Sequence, residues 1–272
     1  MNTFERYVAE EHVEDFNDRL ISRRELIRRV TLITGSVATT LAFLEVVGCG
    51  AEPSGTAPQS TARSSSTPRP FATPPAQATA NGITVAADDP RIKIVRANVK
   101  GPDGASLISY LAGPSSGGRS PSVLVIHENR GLTEHIRDVV RRVATAGYVG
   151  LSIDLLSRDG GADQLTDAAA YAAALAKRTN DAMVADIQAA LSQLDQLSTA
   201  AGGHQGIVGF CFGGGMVWNT LVAGAKLRAA VPFYGPAPQN SAGLATTPAA
   251  VFAVYAEEDT RITATAPRMR SS

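Results

Sequence analysis

The residues best suited to chemistry are Gly209-Phe210-Cys211-Phe212-Gly213-Gly214, a cysteine with a glycine two places away on either side. A thiolate is a strong nucleophile. At this spacing it would stand on a sharp strand-to-helix turn, where neighbouring backbones approach so closely that only residues lacking Cβ fit beside it. A helix starting near Gly213 would point amide groups and a partial positive charge at the sulfur. That favours the thiolate, and later the oxyanion of a tetrahedral intermediate. The chemistry is nucleophilic attack with a covalent intermediate. Two other readings of the same glycines stay open: a buried small residue in a βα turn, or a phosphate-binding loop. No nucleotide motif accompanies them, so the nucleophile is preferred.

Such a turn needs a buried strand before it and a helix after it, and the body of the chain from about residue 83 supplies both. Short apolar runs over 123–126, 149–153, 206–209, 229–233 and 250–255 alternate with helical stretches over 134–146, 164–177, 181–197 and 213–223. This alternation predicts parallel strands covered on both faces by crossover helices, an α/β architecture. Within 181–197, Val184, Ile187, Leu191 and Leu194 recur three or four places apart, which is a core stripe. Two earlier strands, 92–95 and 107–111, are read as an antiparallel opening joined by the turn Gly101-Pro102-Asp103-Gly104.

The chain has 272 residues, 44% of them hydrophobic and 18% charged, enough for a substantial core. Lys plus Arg and Asp plus Glu both count 25, so no net field favours nucleic acid or an anionic surface. The two cysteines, Cys49 and Cys211, lie in segments of different character, which argues against a disulfide framework. Nothing implies a metal or a cofactor, and the adjacent His127 and Glu128 lack the spacing of a zinc site. Oligomeric state is not legible.

The first 82 residues read differently. Arg23 and Arg24 precede the mostly apolar run 30–47, as a basic region precedes the apolar core of an export signal. The segment resembles the twin-arginine signal pattern, with Leu26, Ile27 and Arg28 in the matching places. Val46-Val47-Gly48-Cys49 is similar to a bacterial lipobox, which would make Cys49 a lipidated N-terminus. The alternative is an ordinary cysteine in an uncleaved anchor. Residues 1–49 are therefore expected to be an export signal or membrane anchor, placing the protein in the cell envelope, outward-facing. Residues 50–82, rich in Ser, Thr, Pro and Ala, form a linker, and 83–272 the α/β domain.

The body resembles the dienelactone hydrolase family, α/β-hydrolases in which cysteine replaces the serine of the nucleophile turn. Residues 209–214 carry the motif, and three further stretches agree in order. These are Val125-Ile126-His127-Glu128 with Asn129-Arg130-Gly131-Leu132, then Gly147-Tyr148 through to Asp154-Leu155, and Tyr255-Ala256-Glu257-Glu258-Asp259. The resemblance implies a small-molecule ester or lactone substrate, dienelactone-like, and a thioester on Cys211. It implies that Glu128 contacts and activates the resting thiol, and that Asp259 is the acid of the triad. The Phe212 amide would donate to the oxyanion with a second donor near Asn129, and Arg158 would hold a substrate carboxylate. His127 is left open between core, pocket wall and a recruited base.

The resemblance also implies a histidine after Asp259, and Arg261 to Ser272 contain none. The chain is therefore expected to lack the family's histidine-bearing end. Of His12, His127, His135 and His204, chain order lets only His127 approach the thiol. Two functions stay in view: an exported hydrolase, and a membrane-tethered relative that binds a small molecule without turnover.

Overall fold

Aliphatic and β-branched runs can be buried on both faces only if helices cover both, and the body is built on that constraint. The structure is a computed structural model and describes residues 3–17, 19–47 and 82–271. Three helices come first: α1 (Thr3–Asn17), α2 (Arg23–Thr34) and α3 (Val37–Val46). Then come β1 (Ile92–Val95), β2 (Val99–Lys100), β3 (Ser106–Leu107), β4 (Ser109–Pro114) and β5 (Ser120–Ile126). α4 (Glu134–Thr145), β6 (Val149–Ile153), α5 (Gly161–Gln164), α6 (Ala168–Ala176), α7 (Asn180–Asp195) and β7 (Ala200–Phe210) follow. The chain continues through α8 (Phe212–Val222), β8 (Ala229–Phe233), β9 (Ala250–Val251), α9 (Thr260–Thr263) and α10 (Ala266–Arg270).

Seven strands form one sheet in the order β1-β4-β6-β5-β7-β8-β9. The five from β6 to β9 run parallel, β4 runs antiparallel to β6, and β1 runs antiparallel to β4. Alternate side chains of β5 serve opposite layers. Leu124 and Ile126 join the core beneath α6, α7 and α8, whereas Val125 packs with Ile136, Val139 and Val140 of α4. This is the mostly parallel, doubly covered sheet expected, and it brings the carboxyl ends of β5, β7 and β8 together.

Three expectations change. The turn at 101–104 joins β2 to β3 in a separate two-stranded ribbon, while β1 pairs with β4. The helix expected over 164–177 breaks, because the Asp167 carboxylate accepts from the Ala170 amide at 2.8 Å and starts α6 afresh. Strand 250–255 is cut to two residues plus one bridge, Phe233 to Val254. Phe252 donates to Ala230, but Pro232 has no amide hydrogen to return to it.

The described residues of the N-terminal segment, 3–17 and 19–47, include helices that pack on the body. α6 is alanine-rich and buries most of its length, and α1 and α2 both pack on it. Val8, Ala9 and Val13 of α1 and Leu26, Val30 and Ile33 of α2 join the core of the body. No single helix among the described residues is long and apolar enough to cross a membrane. α2 and α3 together reach that composition, but with a bend of 111° between them.

Asp154, directly after β6, ties three segments to the end of the sheet. Its carboxylate accepts from the amides of Leu132 (3.2 Å), Leu156 (2.9 Å) and Ala162 (2.9 Å) and from the Tyr171 hydroxyl (2.6 Å). Burial pushes this carboxyl up, but the His127 imidazole, the Tyr171 hydroxyl and the amides pull harder, so it titrates below its usual value. A depressed folded-state pKa contributes stability in full above the unfolded value, about 3.9. That contribution is lost as pH falls through the folded value. Asp154→Asn is therefore expected to lower urea-unfolding stability by about 2–3 kcal/mol at pH 7, with the gap to the parent narrowing below about pH 4. A gap that stays constant down to pH 3 contradicts this account.

Candidate active site

At the end of β7 the chain turns sharply into α8. Cys211 takes φ 54° and ψ −122°, a conformation that ordinary side chains rarely adopt and that costs about 1–3 kcal/mol. Its amide donates to the Phe233 carbonyl at 3.0 Å, and its own carbonyl accepts from Gly214 at 2.9 Å. The glycines make this crowding possible. A Cβ on Gly213 would lie 2.5 Å from the His127 carbonyl oxygen and 2.7 Å from that of Ile126. A Cβ on Gly209 would overlap the Gly213 carbonyl, and one on Gly214 the Phe233 carbonyl. The first turn of α8 is thus wedged between the ends of β5 and β8, with Phe212 as its first residue.

The half-buried thiol donates to Glu11 Oε1 at 3.3 Å, and Glu11 Oε2 accepts from the Asn129 side-chain amide at 3.1 Å. Glu11 comes from α1, which nothing in the sequence placed near the turn. Glu128 lies on the same loop as Asn129 and shares a neighbour with the thiol. The Tyr234 phenol is pushed up to about 12 by burial first, then by the charges of Glu128 and Cys211. Tyr234 itself sits at φ 37°, directly after β8.

His127 has a structural place. Its Nε2 accepts from the Leu155 amide at 3.0 Å and its Nδ1 lies 2.6 Å from the Glu128 carbonyl. Both bonds are satisfied by the neutral ring with its proton on Nδ1. Full burial lowers its pKa, against the pull of Asp154 and Glu128, and the ring stacks on Phe212 at 6.3 Å. The imidazole braces the Glu128-Asn129 loop from behind and is not placed as a base for the thiol. His135 and His204 are exposed, at the start of α4 and in the first half of β7.

Cys211 opens into a cleft of about 290 Å³ whose lining includes Glu11, His12, Asn129, Asp259 and Arg261. Asp259 therefore reaches the same cleft as the thiol. It also caps α9, accepting from the Ile262 amide at 3.1 Å, so it serves as a turn residue too. His12 was set aside in the sequence as part of a leader, yet it is buried here, 3.5 Å from the Asp15 carboxylate. Burial, then the charge of Arg29, lowers its pKa. A larger hollow of about 400 Å³ beside Phe212, lined by α7, α8 and residues 236–240, does not include the thiol.

Arg158 needs correction as a substrate-holding residue. Its guanidinium is engaged by two carboxylates, Asp103 at 2.7 and 2.8 Å and buried Asp186 at 2.7 and 2.9 Å. Those bonds staple the turn between β2 and β3 to α7, and Arg158 is absent from the lining of the Cys211 cleft. No local pattern revealed this, since Asp103 and Asp186 are 55 and 28 residues away in the chain. Cys49 lies outside the described residues.

The sequence model of the Dienelactone hydrolase family matches residues 107–272. A protein of Methylorubrum extorquens named "Putative carboxymethylenebutenolidase" is 34% identical over 137 residues, covering 50% of this chain and 47% of that one. One of the same name from Salmonella typhi is 31% identical over 175 residues, covering 58% and 63%. The chain spans about half the length of several of the curated relatives it matches. The crystal structure titled as a "Putative Dienelactone Hydrolase" from Klebsiella pneumoniae superposes with a TM-score of 0.56 at 24% identity. It covers 66% of this chain and 82% of its own, a likeness of fold.

The crowding at the turn has a measurable signature. Gly213→Ala is expected to cost more than about 3 kcal/mol in urea unfolding, because its Cβ meets backbone that cannot move aside. Gly224→Ala is the control. Gly224 has φ 83° with nothing within 4 Å of the added carbon, so only about 1 kcal/mol of backbone strain is expected there. Equal losses at the two sites would show that the close approach is not what the turn depends on.

Proposed function

Because the chain belongs to the dienelactone hydrolase family, we propose that it hydrolyses an ester or lactone, dienelactone-like, through a thioester on Cys211. The observation that carries this reading is the strained Cys211 backbone. It holds the thiol at the head of α8 in a cleft shared with Asp259 and Asn129.

The steps follow from the groups present. Glu128, on the loop after β5, takes the thiol proton once Glu11 has left the sulfur. The thiolate forms an S–C bond to the carbonyl carbon, and the C=O π pair moves onto oxygen. That oxyanion is held by the Phe212 amide with a second donor beside Asn129, aided by the partial positive charge of the helix terminus. Collapse of the intermediate breaks the C–O bond, and the leaving alkoxide regains the proton. Water then attacks the thioester, releasing the carboxylic acid and the thiol. With a lactone the alkoxide stays on the same molecule, so the product is the ring-opened acid. Asp259, the acid of the triad in this reading, lines the same cleft as the thiol.

We propose further that residues 1–49 direct export by a twin-arginine-type signal. Cys49 is then the point of lipid attachment and 50–82 the tether. Exposed Arg23 and Arg24 at the first turn of α2, with the apolar helix α3 behind them, support this reading. A second function, a tethered binding protein without turnover, is favoured by one observation: the thiol donates to a carboxylate of the chain's own first helix, Glu11.

An activated ester separates the two. After prolonged incubation with p-nitrophenyl acetate, the intact mass is expected to rise by one acetyl group. Cys211→Ala abolishes both the adduct and turnover, a loss of roughly a thousandfold or more. Arg158→Ala acylates to the same extent. A folded protein that neither acquires an adduct at Cys211 nor turns the ester over is the binding relative.

A further inference from the structure

We infer that α1 is a built-in cover of the active-site cleft, setting a carboxylate of the chain itself against the nucleophile and keeping substrate out until the helix lifts. This rests on Cys211 being the nucleophile. The cleft around the sulfur is finished by α1, which contributes Glu11, His12, Glu14 and Asp15 to its lining. Both oxygens of Glu11 are in use, one on the thiol and the other on the Asn129 amide, the side of the cleft from which the second oxyanion donor is proposed to come. The carboxylate therefore sits where the carbonyl group of an ester would have to lie. An ionised Glu11 beside the sulfur also opposes a second negative charge there.

The helix is held at two further points. Glu14 pairs with Arg261 at 3.1 Å, two residues beyond Asp259, so α1 spans the cleft from the β5 loop to the loop of the triad acid. Its apolar side, Val8, Ala9 and Val13, is buried in the core shared with α6. Exposed ion pairs contribute little, so this apolar contact is the main hold on the helix. A hold of that kind is reversible. Under the export proposal, processing at Cys49 removes α1 together with α2 and α3 and so uncovers Cys211.

The test uses the full chain with Cys49→Ser, leaving Cys211 as its single thiol, and iodoacetamide as the probe. Glu11→Ala removes the carboxylate, and Val8→Asp with Val13→Asp lifts the helix. Alkylation of Cys211 is expected to quicken severalfold in the first variant and about tenfold or more in the second. Circular dichroism and the urea midpoint show that the body stays folded. If the lifted variant unfolds, Glu11→Ala decides alone. Alkylation rates equal to the parent's overturn the cover. Acylation by p-nitrophenyl acetate then separates this inference from the hydrolase reading. A variant that alkylates faster but takes no acetyl group retains the cover and sinks the enzyme, whereas a parent that acylates as fast as both variants does the reverse.

Discussion

The close crossing of backbones at residues 209–214 is the constraint on which the rest of the molecule depends. Gly209, Gly213 and Gly214 let α8 start between the ends of β5 and β8, where any side chain would overlap a carbonyl. With the helix seated there, Cys211 has no choice but a positive φ, and its sulfur is carried clear of the sheet. The same wedge fixes the Phe212 amide and brings the β5 loop alongside. Every other group of the cleft is placed relative to this junction.

Support for the junction comes from behind it. His127 and Asp154 form a buried layer in which the imidazole holds the Glu128 carbonyl and the Leu155 amide, and the carboxylate gathers four donors from three segments. Neither is among the residues lining the cleft into which the thiol opens. Buried polar groups are costly unless fully satisfied, so this layer rigidifies the loops only because nearly every lone pair and proton has a partner. His127, which the sequence left open between core, pocket wall and base, is thereby given a structural place.

What could be read from sequence was local. The nucleophile turn, strands 149–153 and 229–233, and helix α4 are set by glycine spacing, apolar runs and a capping threonine within a few residues. The turn at 101–104 was equally visible, but which strands it joined was not, because the partner of β1 is set by sheet order. Long-range pairings were silent for the same reason. Arg158 looks like a free cation until the fold supplies Asp186, and Glu11 looks like leader sequence until α6 supplies a surface for α1. Asp259 was legible as a strand-end acid, and its second duty as the cap of α9 emerged only with the helix.

The reach of α1 also bears on how the molecule is made. Its contacts on the body lie far along the chain: Asn129 is 118 residues on, Cys211 200 and Arg261 247. At about 5–20 residues per second, a separation of 200 residues corresponds to on the order of 10–40 s of synthesis. For most of that interval the face bearing Val8, Ala9 and Val13 has emerged while α6, the surface it docks on, has not. The nascent chain therefore presents an amphipathic helix to its surroundings long before the helix can close on its own body. Whatever greets that helix first competes directly with the completed fold for the same three side chains.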